Sequence, residues 1–447
     1  MAELARPSPD AKCAFDAHCP PSAELVNECV HCGFCLPTCP TYALWGEEMD
    51  SPRGRIYLMK LGLEGQVRLD STFVAHMDNC LGCMACMSAC PSGVKYDKLI
   101  EATRAQIERN YDRPVLDGLL RRMIFDVFPR PERLRLLLGP MRMYQRSGLQ
   151  SLIRRSGLLK LLPESLRQME TLLPSSPSKT NGTVLPERVE AQGERRLRVG
   201  LLLGCVQRVL FPEVNAATAR VLTAEGCEVV IPRDQCCCGA LMIHAGEEKQ
   251  ALDYARRTIG AFERAQVDTV VINAAGCGSN MKDYGYLLRD DPKYAERARA
   301  FSAKCRDISE ALAGLEPRAP RHPIPLKVAY QDSCHLQHAQ AVRIPPRAML
   351  GKIPELQILE TAEAALCCGS AGIYNLVKPG PAKELGERKV RNVLATAPDI
   401  VASGNPGCLL QLRSGIRLAG SQVPVVHTVQ LVDASIRGVP AESLLRR

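Results

Sequence analysis

The stretch Cys29-Val-His-Cys32-Gly-Phe-Cys35-Leu-Pro-Thr-Cys39-Pro40 decides how the chain is read, because Cys80-Leu-Gly-Cys83-Met-Ala-Cys86-Met-Ser-Ala-Cys90-Pro91 repeats its spacing. A [4Fe–4S] cube needs four thiolates converging from different directions. A loop with Cys at every third position wraps three corners, and the Cys before Pro turns away to the neighbouring cube. The spacing therefore predicts two crossed ligand sets. Cys29, Cys32, Cys35 and Cys90 hold one cluster, and Cys39, Cys80, Cys83 and Cys86 the other. Zinc also takes Cys-x2-Cys pairs, but two identical runs, each with a third Cys and a terminal Cys-Pro, fit iron–sulfur better. His31, inside a loop whose thiolate set is already complete, is expected to tune a cluster or to face solvent.

Between the loops, Ile56 to Leu63 reads as helix, and Lys98 to Asn110 reads as a helix closing the unit. Helices separating the cluster loops predict an α-helical ferredoxin rather than the small β type. Arg53 and Arg55, in Ser51-Pro-Arg-Gly-Arg55, are expected to play a structural part between the loops. Cys13 and Cys19 stand outside any repeat spacing and are read as incidental or locally structural.

A chain of 447 residues, 46% apolar and 4% aromatic, has room for about three domains with cores of their own. Its 21 cysteines follow no charged-then-apolar leader, so they are read as metal ligands in a reducing cytoplasm rather than as disulfides. No apolar run approaches the roughly eighteen residues of a membrane-spanning helix. The formal charge of +9 is concentrated between Tyr111 and Lys160, where eleven Arg and Lys face four Asp and Glu. There Leu134, Leu137, Leu138 and Met141 recur at helical spacing among Arg133, Arg135 and Arg142. Such a helix either lies in the headgroup plane of an anionic membrane or packs on a neighbouring domain with its basic face in water. Nucleic acid is not expected, because no binding motif accompanies the charge. Leu172 to Gly193, rich in Pro, Ser and Gly, reads as a flexible linker.

The C-terminal half repeats itself. Arg198 to Cys205 corresponds to Lys327 to Cys334, Cys237-Cys238-Gly239 to Cys367-Cys368-Gly369, and Asp268 to Cys277 to Asp399 to Cys408. In each copy an apolar strand ends near a Cys, helical text leads to the Cys-Cys-Gly turn, and a second strand runs into Gly-Cys. Alternating strands and helices predict parallel α/β units whose sites collect at the C-terminal strand edges. Two metal-binding sets follow: Cys205, Cys237, Cys238 and Cys277, then Cys334, Cys367, Cys368 and Cys408. An iron–sulfur cluster is the first choice for them, zinc the second and a redox-active dithiol the third. Cys236 has Leu366 as its counterpart and is left out, while Cys227 and Cys305 read as small core residues. His335 and His338 are read as structural or as proton-relaying, and His244 and His427 show no pattern.

The expected fold is an α+β multidomain chain. Residues 1–110 form an α-helical ferredoxin domain with two [4Fe–4S] clusters, residues 111–195 a basic helical region and linker, and residues 196–320 and 321–447 two α/β modules related by duplication.

Cys29-Val-His-Cys-Gly-Phe-Cys35, Pro52-Arg-Gly-Arg-Ile-Tyr57, Cys334-His-Leu-Gln-His-Ala-Gln340 and Cys367-Cys-Gly-Ser-Ala-Gly372 together resemble the glycolate oxidase iron–sulfur subunit family. The likeness runs from about Glu28 to Val432 and is weakest across the basic region. Lactate-utilisation iron–sulfur proteins, the C subunit of anaerobic glycerol-3-phosphate dehydrogenase and heterodisulfide reductase subunits share the motifs. The resemblance implies an electron carrier in a hetero-oligomer. A partner subunit with FAD would oxidise a 2-hydroxy acid, glycolate to glyoxylate, and this chain would pass electrons to a quinone or other membrane acceptor from the inner face of the cytoplasmic membrane. Consistent with that division of labour, the chain carries no Gly-x-Gly-x-x-Gly after a strand. The alternatives are service to a lactate or glycerol-3-phosphate dehydrogenase, or thiol–disulfide chemistry at the Cys-Cys-Gly turns. The heterodisulfide form of the module ends in Cys-x2-Cys, whereas here Asn280 and Gln411 follow Cys277 and Cys408. A five-thiol noncubane cluster is therefore not expected.

Overall fold

The computed structural model describes residues 13–156, 167, 169–171 and 185–445. Its first part is helical, as the interrupted cysteine loops predict. Helix α1 (Pro52–Leu63) starts where Ser51 Oγ accepts the Gly54 N–H, and α2 (Ser71–Asn79) where Asp70 accepts the Phe73 N–H. Each cap satisfies a backbone donor that the first helical turn leaves unpaired. With α3 (Tyr96–Asn110) they bury Met59, Met77, Leu99, Ile100 and Ile107 in one core. Each such side chain contributes about 1.5–3 kcal/mol on burial. Cys80 and Cys86 belong to this core, and Cys29, Cys35 and Cys90 pack against it. The ligand loops therefore rest on a rigid base.

The basic region forms α4 (Val115–Val127), α5 (Pro131–Arg146) and α6 (Leu149–Ser156). Arg113 and Arg121 tie the start of α4 to Asp78 and Glu108 of the ferredoxin part. Further along, Ile124 and Phe125 are buried in a cluster with Cys205, Cys237, Met242 and Ile243. The stripe Leu134, Leu137, Leu138 and Met141 lines a cavity that reaches the surface: Leu134 is buried, while Leu137 stands exposed at its edge.

Most of the expected linker, residues 172–184, lies outside the described residues. Its end does not: Arg188–Val189 forms β1, antiparallel to β3 (Cys227–Val230), so the first module begins ahead of residue 196. The pairing supplies the backbone partners that a free linker would lack.

The remaining strands confirm the duplication. β2 (Leu197–Leu202) lies between β3 and β4 (Thr269–Ile272), with β5 (Cys305–Asp307) beyond β4, all parallel. β6 (Lys327–Gln331) lies between β7 (Gln357–Leu359) and β8 (Ile400–Ser403), with β9 (Val425–His427) beyond β8, again all parallel. The central strands are apolar runs because both faces are covered. Helix α7 (Pro212–Ala224) packs on α12 (Thr428–Ile436) across the module boundary, locked by the two-pronged Arg220–Asp433 pair at 2.8 and 2.7 Å. Helices α8 (Glu248–Arg264), α9 (Ala275–Lys282), α10 (Pro379–Leu394) and α11 (Pro406–Leu418) complete the modules. The modules also meet at their C-terminal strand edges, where the Ala275 N–H donates to Gly404 O at 3.2 Å and the Gly276 N–H to Asn405 Oδ1 at 3.3 Å. That contact turns two separate strand-end sites toward each other.

Candidate metal centres

Cys29, Cys32, Cys35 and Cys90 line a common cleft, with Cys86 also on its wall. Cys32 is exposed, and so are its neighbours Val30 (68%) and Phe34 (66%). His31 faces solvent there, its ring edge-on to Tyr57 at 6.0 Å.

Cys39, Cys80, Cys83 and Cys86 are buried together. Burial pushes the Cys83 and Cys86 thiols well up, and neighbouring thiols, Cys39 among them, add to the push. Cys80 behaves differently. Burial alone would raise it, but the Arg55 and Arg104 guanidiniums, the Tyr96 hydroxyl at 3.5 Å and the Gly82 N–H at 3.4 Å hold it below the ordinary thiol value. Arg55 is itself buried, paired with Asp50 at 3.0 Å and donating to Thr41 Oγ1, which touches Cys39 Sγ at 3.2 Å. Arg55 is thus the structural residue expected, and it brings a buried positive charge to this thiol set.

In the modules each set of four thiols is a continuous row. Cys205 Sγ lies 3.5 Å from Cys237 Sγ, and the contacts continue through Cys238 to Cys277. Cys368 Sγ lies 3.5 Å from Cys408 Sγ, with Cys334 and Cys367 completing the second row. Gly239 and Gly369, at φ +86° and +84°, let the backbone pass close to α8 and α10, and the Gly239 N–H donates to Cys237 Sγ at 3.4 Å. All eight thiols open onto one cavity of about 290 Å³ between the modules.

Whether these thiols suit a metal follows from charge. Arg208 stands beside Cys205 and Lys389 near Cys367 and Cys368, each with burial pulling its proton affinity down. One such cation does not balance four thiolates, whereas a bound metal or cluster does. The residues therefore fit a thiolate-ligated metal group. Asn280 and Gln411, which stand where a fifth thiol would be, brace backbone instead: Asn280 Nδ2 donates to Cys238 O at 2.7 Å and Gln411 Nε2 to Ala382 O at 3.2 Å.

Residues 116–173 match the family described as "Glycolate oxidase iron-sulfur subunit, linker region". Residues 25–94 match "4Fe-4S dicluster domain", and 199–282 and 328–413 match "Cysteine-rich domain". Over 92% of its length the chain is 41% identical to the "Probable glycolate oxidase iron-sulfur subunit" of Bacillus subtilis, of which it covers 93%. The chain belongs to the glycolate oxidase iron–sulfur subunit family. The Escherichia coli "Glycolate oxidase iron-sulfur subunit" is 35% identical over 92% of this chain and 95% of that protein. A fumarate reductase (CoM/CoB) chain of Methanothermobacter marburgensis is 33% identical over 53% of this chain and 46% of that one. As a glycolate oxidase-type iron–sulfur subunit the chain is an electron-transfer component of an oxidoreductase complex. Among the described residues, no helix is long and apolar enough to cross a membrane.

Three further cysteines of this family member, Cys227, Cys236 and Cys305, keep to structural places. Cys236 turns away toward Tyr254 O (3.7 Å) and Thr258 Oγ1 (3.5 Å), and Cys227 and Cys305 are buried in strands. His338 bridges Ser88 Oγ (2.8 Å) and Ala365 O (3.2 Å), which makes it a structural clamp. His427 contacts Asn273 O at 2.9 Å through Nε2 and accepts the Val429 N–H at Nδ1.

Sequence reasoning missed His244. Its Nδ1 lies 3.0 Å from Glu101 Oε1, and its ring stands edge-on to His335 at 4.7 Å. His335 Nε2 faces Gly82 O at 2.8 Å, in the loop of the second ferredoxin set. His244 Nε2 and His335 Nδ1 have no hydrogen-bond partner, and both rings line the shared cavity. No local pattern announces a pair formed by residues 91 positions apart in sequence. Asn405 did leave a trace: it stands where the first module has Ala274, and it holds both Gly276 N–H and Cys408 Sγ (3.7 Å).

Proposed function

We propose that this chain relays electrons from an FAD-bearing partner, which oxidises glycolate to glyoxylate, toward a quinone. Two [4Fe–4S] clusters occupy the crossed sets Cys29/Cys32/Cys35/Cys90 and Cys39/Cys80/Cys83/Cys86, and each module row holds a further iron–sulfur centre. A flavin gives up electrons in pairs and each cluster takes one, so several centres in series divide the pair and lead it away from the hydroxy acid. The reading rests on one arrangement, a line of thiol sets running from exposed Cys32 inward. Cys35 of the first set adjoins Cys39 of the second, and Cys83 of the second adjoins Cys367 of the module cavity. The partner docks on the surface around Val30 and Phe34, where the outermost set is within reach. Burial and N–H···S bonds set the potentials inside.

Metal content of the anaerobically purified complex tests this. About sixteen irons per chain, with matching sulfide and no zinc, is the expected result for four centres at four irons per cluster, whereas about twelve would leave one module row empty and about eight would leave only the ferredoxin sets filled. Zinc in the module rows would demote them to scaffold.

A further inference from the structure

The cavity between the modules is larger in kind than a metal group requires. Its inner end holds the two thiol rows and the unpartnered nitrogens of His244 and His335. Its outer arm is built by other elements altogether: Met123 and Phe128 at α4 and its end, Leu134, Leu137 and Leu138 on α5. These side chains ligate nothing. Among the described residues that line the cavity there is no Lys, Arg, Asp or Glu. A carboxylate, phosphate or sulfonate entering it would lose its hydration and meet no charged side chain on the lining itself. A neutral molecule with hydrogen-bond acceptors at one end and an aliphatic body at the other loses nothing.

The mouth carries the same message. Met123 and Leu137 both line the cavity and reach the surface, 41% and 44% exposed. Around them the outer faces of α4 and α5 present Leu119 (62%) and Leu136 (79%). The cavity therefore runs from the protein surface to the thiol rows behind a mainly apolar wall.

We infer that this cavity is a binding site for an isoprenoid quinone, entered between α4 and α5, with its ring at the inner end, where His244 Nε2 faces it and His335, which gives its N–H to Gly82 O, accepts at Nδ1 from the reduced ring's O–H, and with its tail lying along Leu134 and Leu138. The assignment rests on the electron-relay reading above and gives that relay its terminus. Reduction of the ring takes two electrons, supplied through the relay from the partner's hydroxy-acid oxidation, and two protons. Both ring C=O bonds become C–OH, and the quinol leaves by the same mouth. His244 is placed to pass a proton when Glu101, whose hold on its proton burial raises, carries one: the Glu101 O–H then donates to Nδ1, Nε2–H faces the cavity, and a proton given up at Nε2 is replaced at Nδ1. Glu101 is in turn surrounded by Asp97, Lys98, Arg104 and Asp283, and Asp97 and Asp283 are partly open to solvent.

The test uses the intact complex and 2-heptyl-4-hydroxyquinoline N-oxide, a quinone-site probe whose fluorescence is quenched on binding. The expected result is one site per chain. Leu138→Trp, which fills the arm, and His244→Phe should each weaken binding at least tenfold, while Leu116→Ser, on the outer face of α4, leaves it unchanged. Cluster reduction by glycolate, followed by bleaching and EPR, is recorded on the same samples. Quinone reduction with probe binding untouched by Leu138→Trp and His244→Phe would place the acceptor site elsewhere and overturn the inference. Clusters that glycolate fails to reduce would instead overturn the relay reading, whatever the probe does.

Discussion

Cys83 of the ferredoxin part and Cys367 of the second module lie in one apolar cluster with Leu81, Leu366 and Tyr374. Two parts of the chain separated by nearly three hundred residues thus bring their thiols into the same water-excluded patch, and Cys367 adds to the burial that raises the hold of Cys83 on its proton. Cys83→Ser removes a thiolate of the inner ferredoxin set. Glycolate should still reduce the outer cluster, while quinone reduction falls at least a hundredfold. EPR of the substrate-reduced variant checks it, and quinone turnover surviving at a tenth of the normal rate would show that electrons bypass this set.

Arg55 places a second constraint on the same set. It is 1% exposed, and its partner Asp50 is also held by Asn79 at 3.1 Å and His76 at 3.2 Å. Arg55→Met strands the Asp50 carboxylate in a dry site, a loss of about 3–5 kcal/mol for a broken buried pair. Arg55→Met with Asp50→Asn should recover part of it, since no charge is then left alone. The inner cluster of either variant should titrate at a lower potential, because a positive charge beside the thiolates favours the reduced, more negative state. Unchanged potentials would confine Arg55 to holding the fold.

The ferredoxin loops were legible because a cube's four corners impose a local spacing, and the modules because duplication writes the same strand ends twice. What escaped reading is what forms between parts. The meeting of Cys83 with Cys367, the Glu101–His244–His335 cluster and the pooling of eight thiols in one cavity depend on how two modules face each other. No residue pattern within either module encodes that angle. Leu134, Leu137, Leu138 and Met141 show the limit well: their helical spacing revealed an apolar face but not what it faces, and the cavity they line is built from elements on both sides. The end of the expected linker was misread for a related reason. Arg188–Val189 is too short to show strand periodicity and is held only by its pairing with β3.

The two Cys-Cys-Gly turns differ in tolerance. A Cβ on Gly369 would lie 2.5 Å from Ala382 O, backbone that cannot yield, while one on Gly239 would lie 3.0 Å from Ala251 O. Both positions carry the left-handed backbone that disfavours other residues by roughly 1–2 kcal/mol. Gly369→Ala should therefore empty the second module of metal, and Gly239→Ala should leave the first partly filled. Iron and zinc counts per chain decide it. Equal metal loss in both variants would mean that backbone conformation, not the close approach, governs the turn.

His427 should make stability fall in mild acid. Burial holds its pKa down to about 4, with Nδ1 accepting the Val429 N–H. The folded state then binds fewer protons than the unfolded between pH 6.5 and 4. This contribution is complete above pH 6.5 and is lost as pH falls toward 4, at about 1.4 kcal/mol per pH unit. His244 and His335 act in the same sense, while Asp307, pushed up to about 6 by burial, acts in the opposite one. The comparison with His427→Gln isolates the one group. The stability gap between wild type and variant, from urea unfolding, should narrow by about 1.4 kcal/mol between pH 7.5 and 5.5. A gap that stays constant would mean that the imidazole is not buried neutral.

The outer face of the helical region makes the last prediction. Val115 (84%), Leu116 (80%) and Leu119 project from α4, Leu136 and Met143 (72%) from α5, and Leu152 (63%) from α6. Arg122, Arg133 and Arg135 are exposed on the same helices. Apolar side chains at this exposure have no reason to stand beside cations in water alone, whereas at an anionic bilayer the former enter the acyl boundary and the latter meet lipid phosphates, at about 1 kcal/mol per Arg. The complex should cosediment with vesicles containing phosphatidylglycerol at low salt and detach as screening increases. Leu116→Ser with Leu119→Ser and Leu136→Ser should release it at any salt, with iron content unchanged. A wild-type complex that stays in the supernatant at low salt would assign this face to a partner subunit instead.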